Sequence, residues 1–179
     1  EGDGRGDIEM RIKYLHLKCK MRDVGFISNP YFEIGIAHRP WLVFEEHINS
    51  YRVQGKMFME RAKIYNSADL GISFFALFGD QIDASYQKNV NSHMPGRWGS
   101  FAIGVYNGGG YHAFEENINK TIESRITIRP LPDAVPGLQF SYTGAFGKGN
   151  IPAAPDWRLS AGAISFELER FIVMGQYFQ

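Results

Sequence analysis

One cysteine, Cys19, in 179 residues excludes an internal disulfide, so the fold is not stapled and the thiol says little about compartment. Neither sign of charge is in excess. Nineteen Lys+Arg against nineteen Asp+Glu give a formal net charge of +0 at pH 7, which removes the global electrostatic footprint of a nucleic-acid binder. The longest apolar run is Phe74-Phe75-Ala76-Leu77-Phe78, far short of the roughly 18 residues that a membrane-spanning helix needs. The opening residues 1–7 lack the charged and apolar regions of a secretory signal. The chain is thus expected to be either a mature product or an internal piece of something longer. Arg5-Gly6-Asp7 matches an adhesion tripeptide, but three residues in a Gly/Asp-rich stretch recur by chance and carry no functional reading.

Catalytic signatures are missing as well. The histidines, His16, His38, His47, His93 and His112, are scattered, and Glu45-Glu46-His47 does not supply the paired helical histidines of a zinc protease. No G-x-S-x-G elbow occurs, and residues 144–149 have neither the spacing nor the Ser/Thr of a phosphate loop. Residues 3–7 alternate acidic positions, but Arg5 sits where a calcium loop needs an oxygen ligand. Asn119-Lys120-Thr121 is a glycosylation sequon in form only. No enzyme activity, metal or cofactor is expected.

What is present is alternation. With 44% hydrophobic and 15% aromatic residues the chain can offset the entropy of folding, and its apolar residues recur at every second position, the period of a strand. Ile8, Met10, Ile12 and Tyr14 alternate with Glu9, Arg11 and Lys13; Phe32, Ile34 and Ile36 alternate with Glu33, Gly35 and Ala37 before Pro40 removes a ladder donor. The same pattern recurs over 70–78, 101–105, 122–129 and 138–143, and more weakly over 158–165 and 171–178. The reading is all-β, about eight strands with almost no helix.

Connectors alternate in size. Residues 130–137 and the segment near Asn29-Pro30 read as short turns, whereas 40–68, 107–120 and 147–157 are long. Long loops on one side and short turns on the other are what a membrane barrel shows, although 79–99 falls where a short turn is due and is long. The less apolar face of the strands is Gly, Ala, Ser and Thr with scattered Arg, which suits a wet lumen; the other face is large and apolar, which suits lipid. Tyr14, Tyr31, Trp41, Trp98, Tyr106, Tyr142 and Tyr177 lie near segment ends, as in interfacial aromatic girdles. A soluble all-β binding module, for instance a sandwich holding carbohydrate on Trp and Tyr platforms, stays open on these patterns alone.

The run Gly35-Ile36-Ala37-His38-Arg39-Pro40-Trp41, then Phe44-Glu45-Glu46, Arg52, Phe58-Met59-Glu60-Arg61 and Asp69-Leu70-Gly71, resembles the phosphate-selective porin O and P family of bacterial outer-membrane porins. Gly104-Val105-Tyr106-Asn107-Gly108 is similar to that family's strand-ending Asn-Gly, and 119–125 with Pro130 to its next strand. The likeness covers roughly residues 30 to 145 and weakens toward Gln179. It implies an antiparallel up-and-down transmembrane β-barrel in the bacterial outer membrane, in contact with lipid and lipopolysaccharide and passing small ions or solutes, with a homotrimer as one assembly and no nucleic-acid partner. Barrels of that family have about twice the strand count read here, so residues 1–179 are expected to form one partial barrel domain. The 79–99 connector departs from the family's tight turn.

For such a pore the expected channel-lining cations are Arg11, Lys13, Arg125 and Arg129, because guanidinium groups hold phosphate-like anions by forked hydrogen bonds. Equally, they can pair with Glu9, Glu33 or Glu123 and merely solvate the wall. In the long 41–68 loop, Glu45, Ile48 and Arg52 are spaced by three and four, as in a short helical turn. If that loop folds inward, as the resemblance implies, Glu45, Glu46, Arg52, Glu60 and Arg61 are constriction candidates; the other reading is an ion-pair network that pins the loop to the wall. A plugged barrel that conducts nothing is the remaining alternative.

Overall fold

The computed structural model of the chain describes residues 12–49, 55–64 and 66–179. Among the described residues eight strands, β1 Leu15–Lys20, β2 Ile27–His38, β3 Ala68–Phe78, β4 Gly99–Tyr106, β5 Thr121–Ile128, β6 Leu138–Lys148, β7 Asp156–Leu168 and β8 Phe171–Phe178, form one sheet. They lie in chain order, each antiparallel to the next, as an all-β up-and-down arrangement; among the described residues β1 and β8 are edges and the sheet does not close on itself. Short helices occupy the connectors: α1 Pro40–Ile48, α2 Phe58–Arg61 and α3 Ala84–Asn89.

Several boundaries differ from the alternation-based expectation. The first strand is not formed at residues 12–14 but starts at Leu15, and residues 1–11 lie outside the described residues. Asn29-Pro30 is not a connector. It sits inside β2, where the register to β3 shifts between Ser28 and Tyr31; Asn29 takes φ 48° and its N–H donates to Asp23 Oδ1 at 2.7 Å. A bulge tolerates the missing proline donor, which a regular ladder does not. The chain turns instead over 21–26, closed by Val24 and Ile27. Pro40 does end β2, and it also starts α1, because a proline at the first helical position loses no hydrogen bond and has its φ preset. The 79–98 connector is long, as the sequence indicated, and structured: Asp83 caps α3 by accepting from Ser85 N at 2.8 Å and Tyr86 N at 3.3 Å.

The polarity of the sheet is the reverse of that in a water-soluble domain. On one face Leu15, Leu17, Ile34, Ile72, Ile126 and Ile164 stand exposed, Leu17 at 65% and Ile164 at 53%. On the opposite face Glu33, Ser73, Glu123, Arg125, Thr143 and Glu167 are buried, each at 2% exposure or less. The registers keep this phase across every ladder: Ile34 faces Leu17 and Ile72, Ile126 faces Phe101 and Tyr142, and Ile164 faces Phe140.

The long β2–β3 connector covers the polar face. Trp41, Leu42, Phe44 and Ile48 of α1, with Met57 and Met59, pack on Ala145, Leu159, Ala161 and Ala163 of β6 and β7. The alanines leave the room that α1 fills. Each large side chain so buried contributes about 1.5–3 kcal/mol relative to exposure, more than a nine-residue helix gains from its own backbone.

Gly35 permits the close pairing of β1 and β2. It has φ 128°, and a Cβ there would lie 2.4 Å from the Leu15 carbonyl oxygen. Gly35→Val should therefore cost about 1–3 kcal/mol, and hydrogen exchange should quicken by roughly ten- to a hundredfold across β1 while β5–β7 exchange unchanged.

Candidate functional site: the covered polar face

Charged clusters line the covered face around α1. Arg39, the residue before α1, meets Glu123 of β5 through a forked pair, with Nε donating to Oε2 at 3.0 Å and Nη2 to Oε1; both side chains are 2% exposed or less. The guanidinium also lies 5.8 Å from the Tyr106 ring centroid and 5.5 Å from that of Trp157. Beside it the Tyr106 hydroxyl donates to the His38 carbonyl at 2.8 Å and sits 2.8 Å from Ser73 Oγ. The Tyr106 ring lies over Gly104, where a Cβ would come within 2.4 Å of its hydroxyl oxygen.

Arg125 is held differently. Its Nε donates to the Pro40 carbonyl at 3.0 Å and its Nη1 to Ser100 Oγ at 2.9 Å and Thr127 Oγ1 at 2.6 Å, while its carbon lies 4.7 Å from the Phe44 ring centroid. These partners are neutral, so its charge is solvated by dipoles and an aromatic face rather than by a carboxylate. Of the carboxylates weighed as partners for the arginines, Glu123 takes Arg39, Glu33 takes His16, Lys18 and His38, and Glu9 lies outside the described residues. Arg125, Lys18, Lys20, Tyr31 and Ser100 line one cavity of about 300 Å³.

On the other side of α1, Glu45 is buried against β8. It accepts from Trp41 Nε1 at 3.0 Å and from Gln176 Nε2 at 2.8 Å. Burial raises its carboxyl above the usual range; the two hydrogen bonds oppose the shift, and the charges of Glu60 and Glu46 add to it. Glu45, Asn49, Lys56, Arg61, Met174 and Gln176 line a cavity of about 560 Å³ between this connector and β8.

The connectors from the two ends of the sheet meet over this face. The His47 ring stacks on His93 of the 79–98 connector at 3.7 Å, and Asn91 Nδ2 donates to the His47 carbonyl at 3.0 Å and to Glu167 Oε2 at 2.7 Å. Glu46 lines the crevice between them. Arg129 follows β5 at that end, donating to the Gly96 carbonyl with its guanidinium 5.6 Å from the Tyr86 ring centroid. Its role is to hold the connector, and burial lowers its pKa.

Of the nine sequence candidates, Glu45, Arg61 and Arg125 thus face the two cavities, Glu46 lines the crevice, Glu60 lies near Glu45, and Arg129 anchors a connector. Lys13 precedes β1, its amine 5.2 Å from the Tyr14 ring, so its expected place in a strand is not realised; Arg11 and Arg52 lie outside the described residues. Tyr14, Tyr31, Trp41 and Tyr106, read as girdle aromatics, face the covered side, whereas Trp98, Tyr142 and Tyr177 are exposed. Glu123 is among the carboxylates weighed as partners for the lumen cations, but its pairing with Arg39 escaped the sequence reading because their 84-residue separation carries no local signal. Comparison with protein-family models, curated proteins and solved structures found no match to the chain.

Two expectations follow. Glu123→Ala removes the forked partner of the buried Arg39, whose charge Asp69 also meets, and should destabilise the fold by about 3–5 kcal/mol, measured by denaturant titration of the tryptophan fluorescence; Arg39→Met with Glu123→Leu should recover most of that loss. Because Glu45 has a raised carboxyl pKa in the fold, its stabilising share is present in acid and is lost as pH rises through the folded value. Glu45→Gln should therefore match the parent in acid and exceed it in stability at neutral pH.

Proposed function

We propose that the chain forms part of an outer-membrane β-barrel porin that passes small hydrophilic solutes with a preference for anions, its lumen narrowed by the inward-folded β2–β3 connector. The observation that carries this reading is the reversed polarity of the sheet. In water, a face presenting Leu17 at 65% and Ile164 at 53% exposure is a liability; in lipid it is the stable arrangement, and the buried charges then belong to a lumen.

Strand length supports the reading. β2, β3, β6 and β7 have 12, 11, 11 and 13 residues, enough for a tilted crossing that needs about 9–11. At the end with the 21–26, 129–137 and 169–170 turns, Phe26, Trp98 and Phe171 are exposed, a belt suited to the membrane–water interface. The edges at β1 and β8 require further strands to satisfy their backbone groups in a bilayer, consistent with a larger barrel. Anion preference rests on cations that outnumber the carboxylates at the two cavities: Arg125 and Lys20, with Lys18 that Glu33 also approaches, in one, and Lys56 and Arg61 against Glu45 in the other. Buried Trp41 and inward-facing Tyr106 give little support to a carbohydrate platform.

The meeting of the two connectors at His47 and His93 favours one second reading, a plugged barrel that does not conduct. Planar-bilayer recording of detergent-refolded protein under a salt gradient separates the cases. A porin should give discrete steps and an anion-selective reversal potential, which Arg61→Glu should shift toward cations. Insertion without steps would favour the plugged barrel, and protein that stays monodisperse without detergent would overturn the membrane reading.

A further inference from the structure

His16, Glu33 and His38 are scattered in sequence yet converge on the covered face at the β1 edge. His38 Nδ1 lies 2.8 Å from Glu33 Oε2 and His16 Nε2 lies 3.5 Å from Glu33 Oε1; one ligand atom from each residue falls within 4.8 Å of the other two. We propose that these three side chains bind a divalent transition-metal ion of the zinc class.

The geometry suits such an ion. Zn²⁺ takes nitrogen and oxygen ligands at about 2.0–2.2 Å, which sets tetrahedral donors roughly 3.3 Å apart, between the two separations observed here. Two imidazoles and one carboxylate form a donor set that borderline divalent ions prefer over Ca²⁺ or Mg²⁺, and three protein ligands leave a coordination position for water or a solute. The backbone presents the set without distortion. His16 lies opposite Gly35, so its ring has room on the face toward which Glu33, two residues before Gly35, also points. His38 is fixed at the end of β2 by Tyr14, whose ring stacks on it at 4.2 Å, and by its own N–H donating to Glu33 Oε2 at 3.2 Å.

The competing cation is shared between the carboxylate and an aromatic ring. Lys18 Nζ is 3.8 Å from Glu33 Oε1 but sits 3.6 Å from the Tyr31 ring centroid, so the carboxylate keeps an oxygen for the metal. His16 Nδ1, buried and without a hydrogen-bond partner, leaves the ring free to reorient onto an ion. A bound ion would join the edge strand β1 to the β2–α1 junction, where the inward connector begins.

The test is titration calorimetry of the full chain, refolded in detergent, with ZnCl₂. One equivalent should bind, and His16→Ala and Glu33→Gln should each weaken binding at least tenfold, while His112→Ala binds as the parent does. The parent protein gives a second readout that needs no variant to fold: zinc should protect His16 and His38, and not His112, from diethylpyrocarbonate acylation by at least tenfold, read by peptide mass. Equal zinc affinity in parent and both ligand variants, or undiminished acylation of His16 and His38 at saturating zinc, would overturn the assignment.

Discussion

The fold depends on a division of the sheet into an apolar face that the chain leaves bare and a polar face that it fills. Alternation supplies both faces from the same strands, so a one-residue slip in any ladder would exchange them. That constraint explains the pairing of Ile34 with Leu17 and Ile72 on the bare side, and of Glu123 with Gly104 and Ala145 on the other, where small neighbours leave room for Arg39. It also explains why α1 lies where it does. Its apolar side chains find the alanine wall of β6 and β7, and the residues at its start find the charged and hydroxyl-bearing wall of β4 and β5.

Charge placement follows from that division. A guanidinium removed from water must be matched by a carboxylate or by several dipoles, and the covered face uses both solutions, with Glu123 for Arg39 and with Ser100, Thr127 and the Pro40 carbonyl for Arg125. The first locks the entry to α1. The second leaves Arg125 at a cavity wall without a carboxylate of its own, which links the packing of the connector to the anion preference proposed for the lumen. At the far end of α1 Glu45 carries the complementary cost, a carboxylate held out of water by neutral donors from Trp41 and Gln176.

Most strands were legible because the period-two signal is local: 70–78, 122–129 and 171–178 coincide closely with β3, β5 and β8. The inward turn of the β2–β3 connector was legible only in outline. The Glu45–Ile48 spacing indicates a helical turn there, but the helix begins well ahead of Glu45, at Pro40, whose helix-starting role competes with its strand-ending one. Asn29-Pro30 misleads for a similar reason, since turn residues also build bulges, and the bulge shifts the alternation of β2 by one residue between Ser28 and Tyr31. Contacts between distant residues were not legible at all. Arg39 with Glu123 and His16 with His38 and Glu33 depend on registers that composition does not encode.

The most direct test of the reversed faces is nitroxide scanning of β5 in lipid vesicles, with Cys19→Ser as background and single cysteines from Ile122 to Ile128. Labels at 122, 124, 126 and 128 should show high oxygen and low aqueous-nickel accessibility, alternating with labels at 123, 125 and 127 that show little collision with oxygen. High nickel accessibility at 126 and 128, or a scan without period two, would contradict the assignment of the bare face to lipid.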